Sequence, residues 1–166
     1  MFKILVLFLL ISTSGFTQSF TKQIGVLGSI TRMDYFVGVN AFFIKKRLVI
    51  GTDVMFGANR TFAQQRIFPR ISLIAGWQLL DKKAIEIWPE LKVVNSMLNL
   101  KVVSNNIHFW QEYLLGFRFS IGNKLRFNLS SHTGWINENF KDQLTHSRMN
   151  VGTIGYEGSI GLSYAW

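Results

Sequence analysis

The stretch Glu157–Trp166, "EGSIGLSYAW", decides how this chain reads. It stops on a tryptophan with a tyrosine two positions earlier, where chain ends are commonly polar and make few contacts. Followed back to Thr153, the segment divides into two faces at a period of two, which is the period of a strand. Ile154, Tyr156, Ile160, Leu162, Tyr164 and Trp166 share one face, and Thr153, Gly155, Glu157, Ser159, Gly161 and Ser163 the other. Gly158 is the only gap in the apolar face.

The same division recurs upstream. In "LRFNLSSHTGW" Leu125, Phe127, Leu129 and Trp135 oppose Arg126, Asn128, Ser130 and His132. Around "EYLLGFRFSIG" Phe109, Tyr113, Leu115, Phe117, Phe119 and Ile121 oppose Glu112, Gly116, Arg118 and Ser120. "AIEIWPELKVV" sets Ile85, Ile87, Leu91 and Val93 against Glu86, Glu90 and Lys92. "RISLIAGWQLL" sets Ile71, Leu73, Ala75, Trp77 and Leu79 against Arg70, Ser72, Gly76 and Gln78. "LVIGTDVMFG" sets Leu48, Ile50, Val54 and Phe56 against Gly51 and Asp53. "YFVGVNAFF" and "QIGVLGSIT" alternate less cleanly, with Gly38, Asn40, Gln23 and Ser29 marking their polar sides. The count is eight strands. Pro89 falls inside the fifth, where it has no N–H to give to a ladder, so a bulge is expected there.

Connection lengths also alternate. "KKR" at 45–47, "DKK" at 81–83 and "GNK" at 122–124 are tight and basic, whereas the connections near 58–66, 95–107 and 136–150 are long; "TRMD" alone is a short turn on the long side. Short turns on one rim and long loops on the other describe an up-and-down transmembrane barrel, with turns in the periplasm and loops outside. A water-soluble β-sandwich would also alternate, but its polar faces would be rich in Lys and Glu. Here they are mainly Gly, Ser, Thr and Asn, residues small enough for a narrow lumen. Five of the nine acidic residues fall at inward positions, Asp53, Glu86, Glu90, Glu112 and Glu157, facing inward bases Arg70, Lys92, Arg118 and Arg126. Enclosed charges are tolerated when paired, so a lumen charge network is expected from these nine residues. The expected fold is an all-β, eight-stranded antiparallel up-and-down transmembrane barrel over residues 18–166.

The start of the chain, "MFKILVLFLLISTSGFTQ", has one lysine, an apolar run from Ile4 to Ile11 and then small polar residues. Eight apolar residues are too few to cross a bilayer as a helix, for which about 20 are needed. The segment reads as a secretory signal over residues 1–17, with Gly15 and Thr17 placing cleavage before Gln18. The chain has no cysteine, which removes disulfides, thiolate metal sites, thiol nucleophiles and a lipid-bearing amino-terminal cysteine.

On these residues the chain resembles the small eight-stranded outer-membrane barrels typified by the OmpX protein and the OmpA membrane domain. The terminal "SYAW" is the one local motif that carries the resemblance. It implies that Ile160, Leu162, Tyr164 and Trp166 form the signal read by the barrel-assembly machinery, and that the protein is integral to the bacterial outer membrane. An aromatic terminus also suits the membrane interface.

An eight-stranded barrel is just wide enough for side chains to fill, so a general diffusion pore is not expected and the inward carboxylates read as salt-bridged filling. Some barrels of this size modify lipid A with a His and a Ser or Glu near the outer rim, which makes His132 a weak catalytic candidate with Ser130, Ser131 and Glu138 as partners. The local order is His-Thr-Gly, not the His-x-Ser-Asn of those deacylases, and parity points His132 inward. His108 and His146 have no metal-ligand spacing, and no metal or cofactor is expected.

The net charge of +9 is spread over turns, lumen and loops, with no stripe or motif for nucleic acid. Lys45, Lys46, Arg47, Lys82, Lys83 and Lys124 crowd the periplasmic rim, within reach of lipid phosphates or peptidoglycan. Arg60, Arg66, Lys101, Lys141 and Arg148 fall on the outer side, within reach of lipopolysaccharide phosphates. The expected role is a non-catalytic structural or interaction barrel, surface-exposed or an accessory subunit of an outer-membrane complex. The alternatives are a lipid A-modifying enzyme and a narrow channel.

Overall fold

The computed structural model describes residues 20–58, 68–82, 84–99, 107–141 and 147–166. The expected signal at 1–17, the connection at 58–66 from its second residue onward, and Arg60, Arg66, Lys83, Lys101 and His146 lie outside the described residues.

Nine strand segments follow one another: β1 Thr21–Thr31, β2 Tyr35–Lys45, β3 Leu48–Gly57, β4 Pro69–Trp77, β5 Leu80–Lys82, β6 Ile85–Asn99, β7 Ile107–Gly122, β8 Leu125–Lys141 and β9 Arg148–Ala165. Each pairs antiparallel with its neighbours in the order β4-β3-β2-β1-β9-β8-β7-β6-β5, and β4 also pairs with β6. That last pairing closes the sheet on itself. β5 carries β4 onward along the same partner, so the segments make eight staves of one closed antiparallel barrel.

The break between β4 and β5 is the answer to Pro89. Gly76 pairs with Glu90 and Leu80 with Ile87, so three residues, 77–79, face two, 88–89. The extra residue is a bulge, carried by the neighbour of the proline strand. The Ile87 carbonyl accepts from the Leu79 N–H (2.9 Å), so the edge of β6 that lacks Pro89's donor is the edge facing the break. The Gln78 N–H is satisfied by the Arg47 carbonyl (2.7 Å). β6 itself runs on unbroken, and Glu90 and Lys92 keep their inward parity, 1% and 0% exposed.

Two expected connections are corrected. Residues 95–99 continue β6, and 136–141 and 148–152 continue β8 and β9, whose pairing runs without a shift from Leu125–Tyr164 to Lys141–Arg148. In β9 the alternation that marks a strand with one buried face stops because both faces are open: Arg148 to Gly152 are all exposed. The inner connections are tight as expected. Lys46 takes a left-handed φ of 56°, and Gly122 a φ of 125° that a side chain would strain.

Aromatic residues mark two levels on the outer wall. Trp77, Tyr164 and Trp166 are exposed near the inner turns, and Tyr35, Tyr113, Trp135 and Tyr156 are exposed near the opposite end. The wall between them is apolar, with Val26, Val39, Ile50, Leu73, Leu91, Leu115, Phe117, Leu129, Ile160 and Leu162 all exposed. Leu125 to Trp135 spans about 25 Å along the axis for a strand tilted about 40°, the height of a barrel's lipid-facing band. An exposed apolar band of this kind, between aromatic girdles and around a polar interior, suits lipid and not water.

Candidate functional site

The lumen is filled in layers. Near the outer mouth Leu27, Phe36, Met55, Phe68, Trp110 and Ile136 form a buried cluster, with Met33 packed against it. Phe68 stacks obliquely between Phe36 (5.1 Å between centroids) and Trp110 (5.3 Å). Toward the inner turns Phe42, Ile44, Val49, Ile74 and Trp88 form a second cluster. Between them lie the charges.

All nine expected lumen residues point inward and are engaged. Asp53 pairs with Lys92 (2.6 Å), Lys92 with Glu157 (2.7 Å), Glu157 with Arg70 (2.6 Å) and Arg70 with Glu112 (3.0 Å). This chain of alternating charge crosses β3, β6, β9, β4 and β7, and every side chain in it is 1% exposed or less. A second group centres on Glu90, which accepts from Arg118 (3.0 Å) and the Trp88 indole (3.0 Å) and lies 2.6 Å from His132 Nε2. The third pair, Arg126–Glu86 (2.6 Å), sits nearer the inner rim with side chains 12% and 9% exposed. Arg70 lies over the Phe36 ring (5.2 Å) and Arg118 over the Phe42 ring (4.6 Å), so cation–π contacts tie the charged layer to both apolar plugs. A small polar cluster of Gln23, Ser120, Asn128 and Ser163 fills the rest of the inner end, Asn128 accepting from Ser120 (2.7 Å) and donating to Ser163 (2.7 Å).

His132 belongs to this packing. Its proposed partners are not gathered around it: Ser130 hydrogen-bonds Ser159 (2.6 Å), Ser131 faces outward, and Glu138 lies six residues up β8. Among the described residues no group of three His, Asp or Glu has the arrangement of a metal site. Aromatic residues are expected to share in the filling of so narrow a lumen, but sequence reasoning did not name the ones that do. Phe36, Phe42, Trp88 and Trp110 are at most 5% exposed and point inward, although each sits beside an outward aromatic or aliphatic residue that masks the alternation.

The second candidate lies beyond the apolar outer band, at the end of the barrel opposite the tight turns. β1 pairs with β9 only as far as Thr31–Glu157, while β8 pairs with β9 up to Arg148. Residues 148–156 of β9 are therefore unpaired on the β1 side among the described residues, about 30 Å of strand edge at the usual rise. Trp166 exchanges both backbone hydrogen bonds with Lys22, whereas the Ala165 N–H goes to Lys124. Even-numbered residues of β9 thus address the β1 side. It follows that Arg148, Asn150, Gly152, Ile154 and Tyr156 present open N–H and C=O groups. Met149, Val151 and Ile154 are exposed along it at 45%, 45% and 69%. Arg32, in the three-residue β1–β2 turn, hydrogen-bonds the Thr153 hydroxyl at its foot.

Of the expected rim bases, Lys46, Arg47 and Lys124 are exposed at the inner turns, and Lys45 is half-buried with its Nζ 5.0 Å from the Phe20 ring centroid. Arg148 is exposed at the outer end. Ile160, Leu162, Tyr164 and Trp166 form one exposed file, with Tyr164 and Trp166 stacked at 6.1 Å.

Closed strand order, lipid-type wall and filled charged lumen together define the fold of the eight-stranded outer-membrane barrels. Solved structures agree. The chain is similar to the N-terminal β-barrel domain of OprF from Pseudomonas aeruginosa (TM-score 0.61, 8% identity, 88% of this chain and 97% of that one). It is similar also to a major outer membrane protein of Thermus thermophilus (0.50, 10%, 88% and 99%) and to the outer membrane protease OmpT of Escherichia coli (0.51, 7%, 93% and 99%). At these identities the likeness is one of fold. No protein-family model and no curated protein matches the chain.

Proposed function

We propose that this protein is a non-catalytic surface barrel of the outer membrane, whose working part is the sheet of β6–β9 standing above the bilayer. The observation that carries the reading is the open β9 edge, residues 148–156. Natural sheets blunt exposed edges with Pro, Lys or bulges, and Met149–Tyr156 has none of these. An extended segment of a partner would pair with such an edge through main-chain hydrogen bonds and take its specificity from alternate side chains. Arg32 at the foot and Arg148 at the top favour a segment with acidic ends. The filled lumen supports a role on the surface rather than conduction, and the engagement of His132 with Glu90 favours a structural over a catalytic histidine.

The test is site-specific photo-cross-linking from Asn150 and from Ile154 in intact cells, with Leu129 on the lipid-facing wall as control. The expected result is one discrete adduct from the edge positions, absent from Leu129 and lost in Ile154→Pro. Proline there removes an edge donor without removing a bond to β8. Equal labelling from all three positions, or an adduct indifferent to the proline, would overturn the proposal.

A further inference from the structure

Three side chains in register across β2, β3 and β4 point into the lumen: Asn40 pairs with Asp53, and Asp53 with Ser72. They are 2%, 0% and 1% exposed. Asp53 Oδ2 meets Lys92 Nζ at 2.6 Å, but both atoms of the Asn40 carboxamide, Asp53 Oδ1 and Ser72 Oγ have no hydrogen-bond partner. On the far side of Asn40 the register position belongs to Gly25. A Cβ there would lie 2.8 Å from Asn40 Oδ1, so the amide leans into room that only glycine leaves.

Buried polar atoms are satisfied in folded proteins, by protein or by solvent, because an unmade hydrogen bond in a dry interior is expensive. The chemistry of these atoms selects the occupant. Asn40 Nδ2 must donate and its Oδ1 must accept, while Ser72 Oγ can do both. A cation could serve only the oxygens and would leave the amide hydrogens unmet, and Asp53 Oδ2 already has Lys92 Nζ at 2.6 Å. Water can accept from Asn40 Nδ2, donate to Asp53 Oδ1 and do either with Ser72 Oγ, and adjacent strands about 4.8 Å apart leave the reach of one hydrogen-bonded molecule between neighbouring side chains.

We infer that the row Asn40–Asp53–Ser72 holds a short string of ordered water, one molecule between Asn40 and Asp53 and a second between Asp53 and Ser72. The string extends the ion-pair chain from Lys92 to β2, so that the polar filling couples β2, β3, β4, β6, β7 and β9. The lumen is then a wet, fixed filling in its middle and dry at both plugs.

The test is a high-resolution crystal structure of the wild-type barrel and of Asn40→Leu, with one wild-type crystal soaked in thallium(I). Solvent peaks about 2.7–3.2 Å from the Asn40 carboxamide and from Ser72 Oγ are expected. The peak beside position 40 should vanish in the leucine variant while the Lys92–Asp53 pair stays. If that variant does not fold, Ser72→Ala, which removes a single atom, should lose the peak beside position 72. A direct Asn40–Asp53 hydrogen bond with no solvent peak would overturn the inference, and an anomalous thallium peak in the row would replace water with a monovalent cation.

Discussion

Lys92→Met removes the one cation that stands between Asp53 and Glu157. The substitution keeps the length of the side chain, so little packing changes. Glu157 retains Arg70 at 2.6 Å, but among the described residues Asp53 has Lys92 as its only ion-pair partner, and is fully buried. Breaking a buried pair by deleting one partner typically costs about 3–5 kcal/mol, because an uncompensated charge stays behind. That is a large share of a folding free energy of about 5–15 kcal/mol. With a urea slope near 2 kcal/mol per M, the unfolding midpoint in lipid vesicles should fall by about 2 M. Removing the stranded charge as well, in Asp53→Asn with Lys92→Met, should recover most of that loss, since apolar or neutral replacement of a whole buried pair is often near neutral. A Lys92→Met midpoint within the error of wild type would refute the reasoning, and so would a double variant no better than the single one.

Three further outcomes follow from the same geometry. Gly122→Ala should destabilise by about 1–3 kcal/mol in the same urea assay, because its φ is 125° and a Cβ would meet the Leu125 carbonyl at 2.1 Å. Deleting Trp166 should reduce the amount of heat-modifiable barrel in outer membranes while total synthesis is unchanged, if the file Ile160, Leu162, Tyr164, Trp166 is read during assembly; equal yields would remove that role. Purified barrel in planar bilayers should give no single-channel steps, since Phe36, Phe68 and Trp110 close the outer end of the lumen; steady unitary currents would contradict the packing.

The parts legible in the sequence are those where one face meets lipid and the other a lumen of polar residues. β4 shows this best: Ile71, Leu73, Ala75 and Trp77 are exposed, and Arg70 and Ser72 buried, as the alternation predicts. Parity also placed all nine lumen charges, but it could not say who pairs with whom. Glu157 reaches Arg70 and Lys92 across the barrel, and such cross-lumen contacts depend on shear, which a single strand does not encode. The upper part of β9 is illegible because a strand open on both faces shows no alternation. Phe36 and Trp88 were hidden for the opposite reason, being apolar on the inner face as well. Pro89 signalled a bulge correctly in kind, yet the extra residue went to the neighbouring strand, where a missing donor is as easily relieved as in its own.

Gel mobility after membrane fractionation tests whether this chain is an integral outer-membrane barrel. The protein should be recovered in the outer-membrane fraction and migrate faster in dodecyl sulfate gels when unboiled than when boiled. Recovery in the soluble periplasmic fraction, with one mobility regardless of heating, would contradict it.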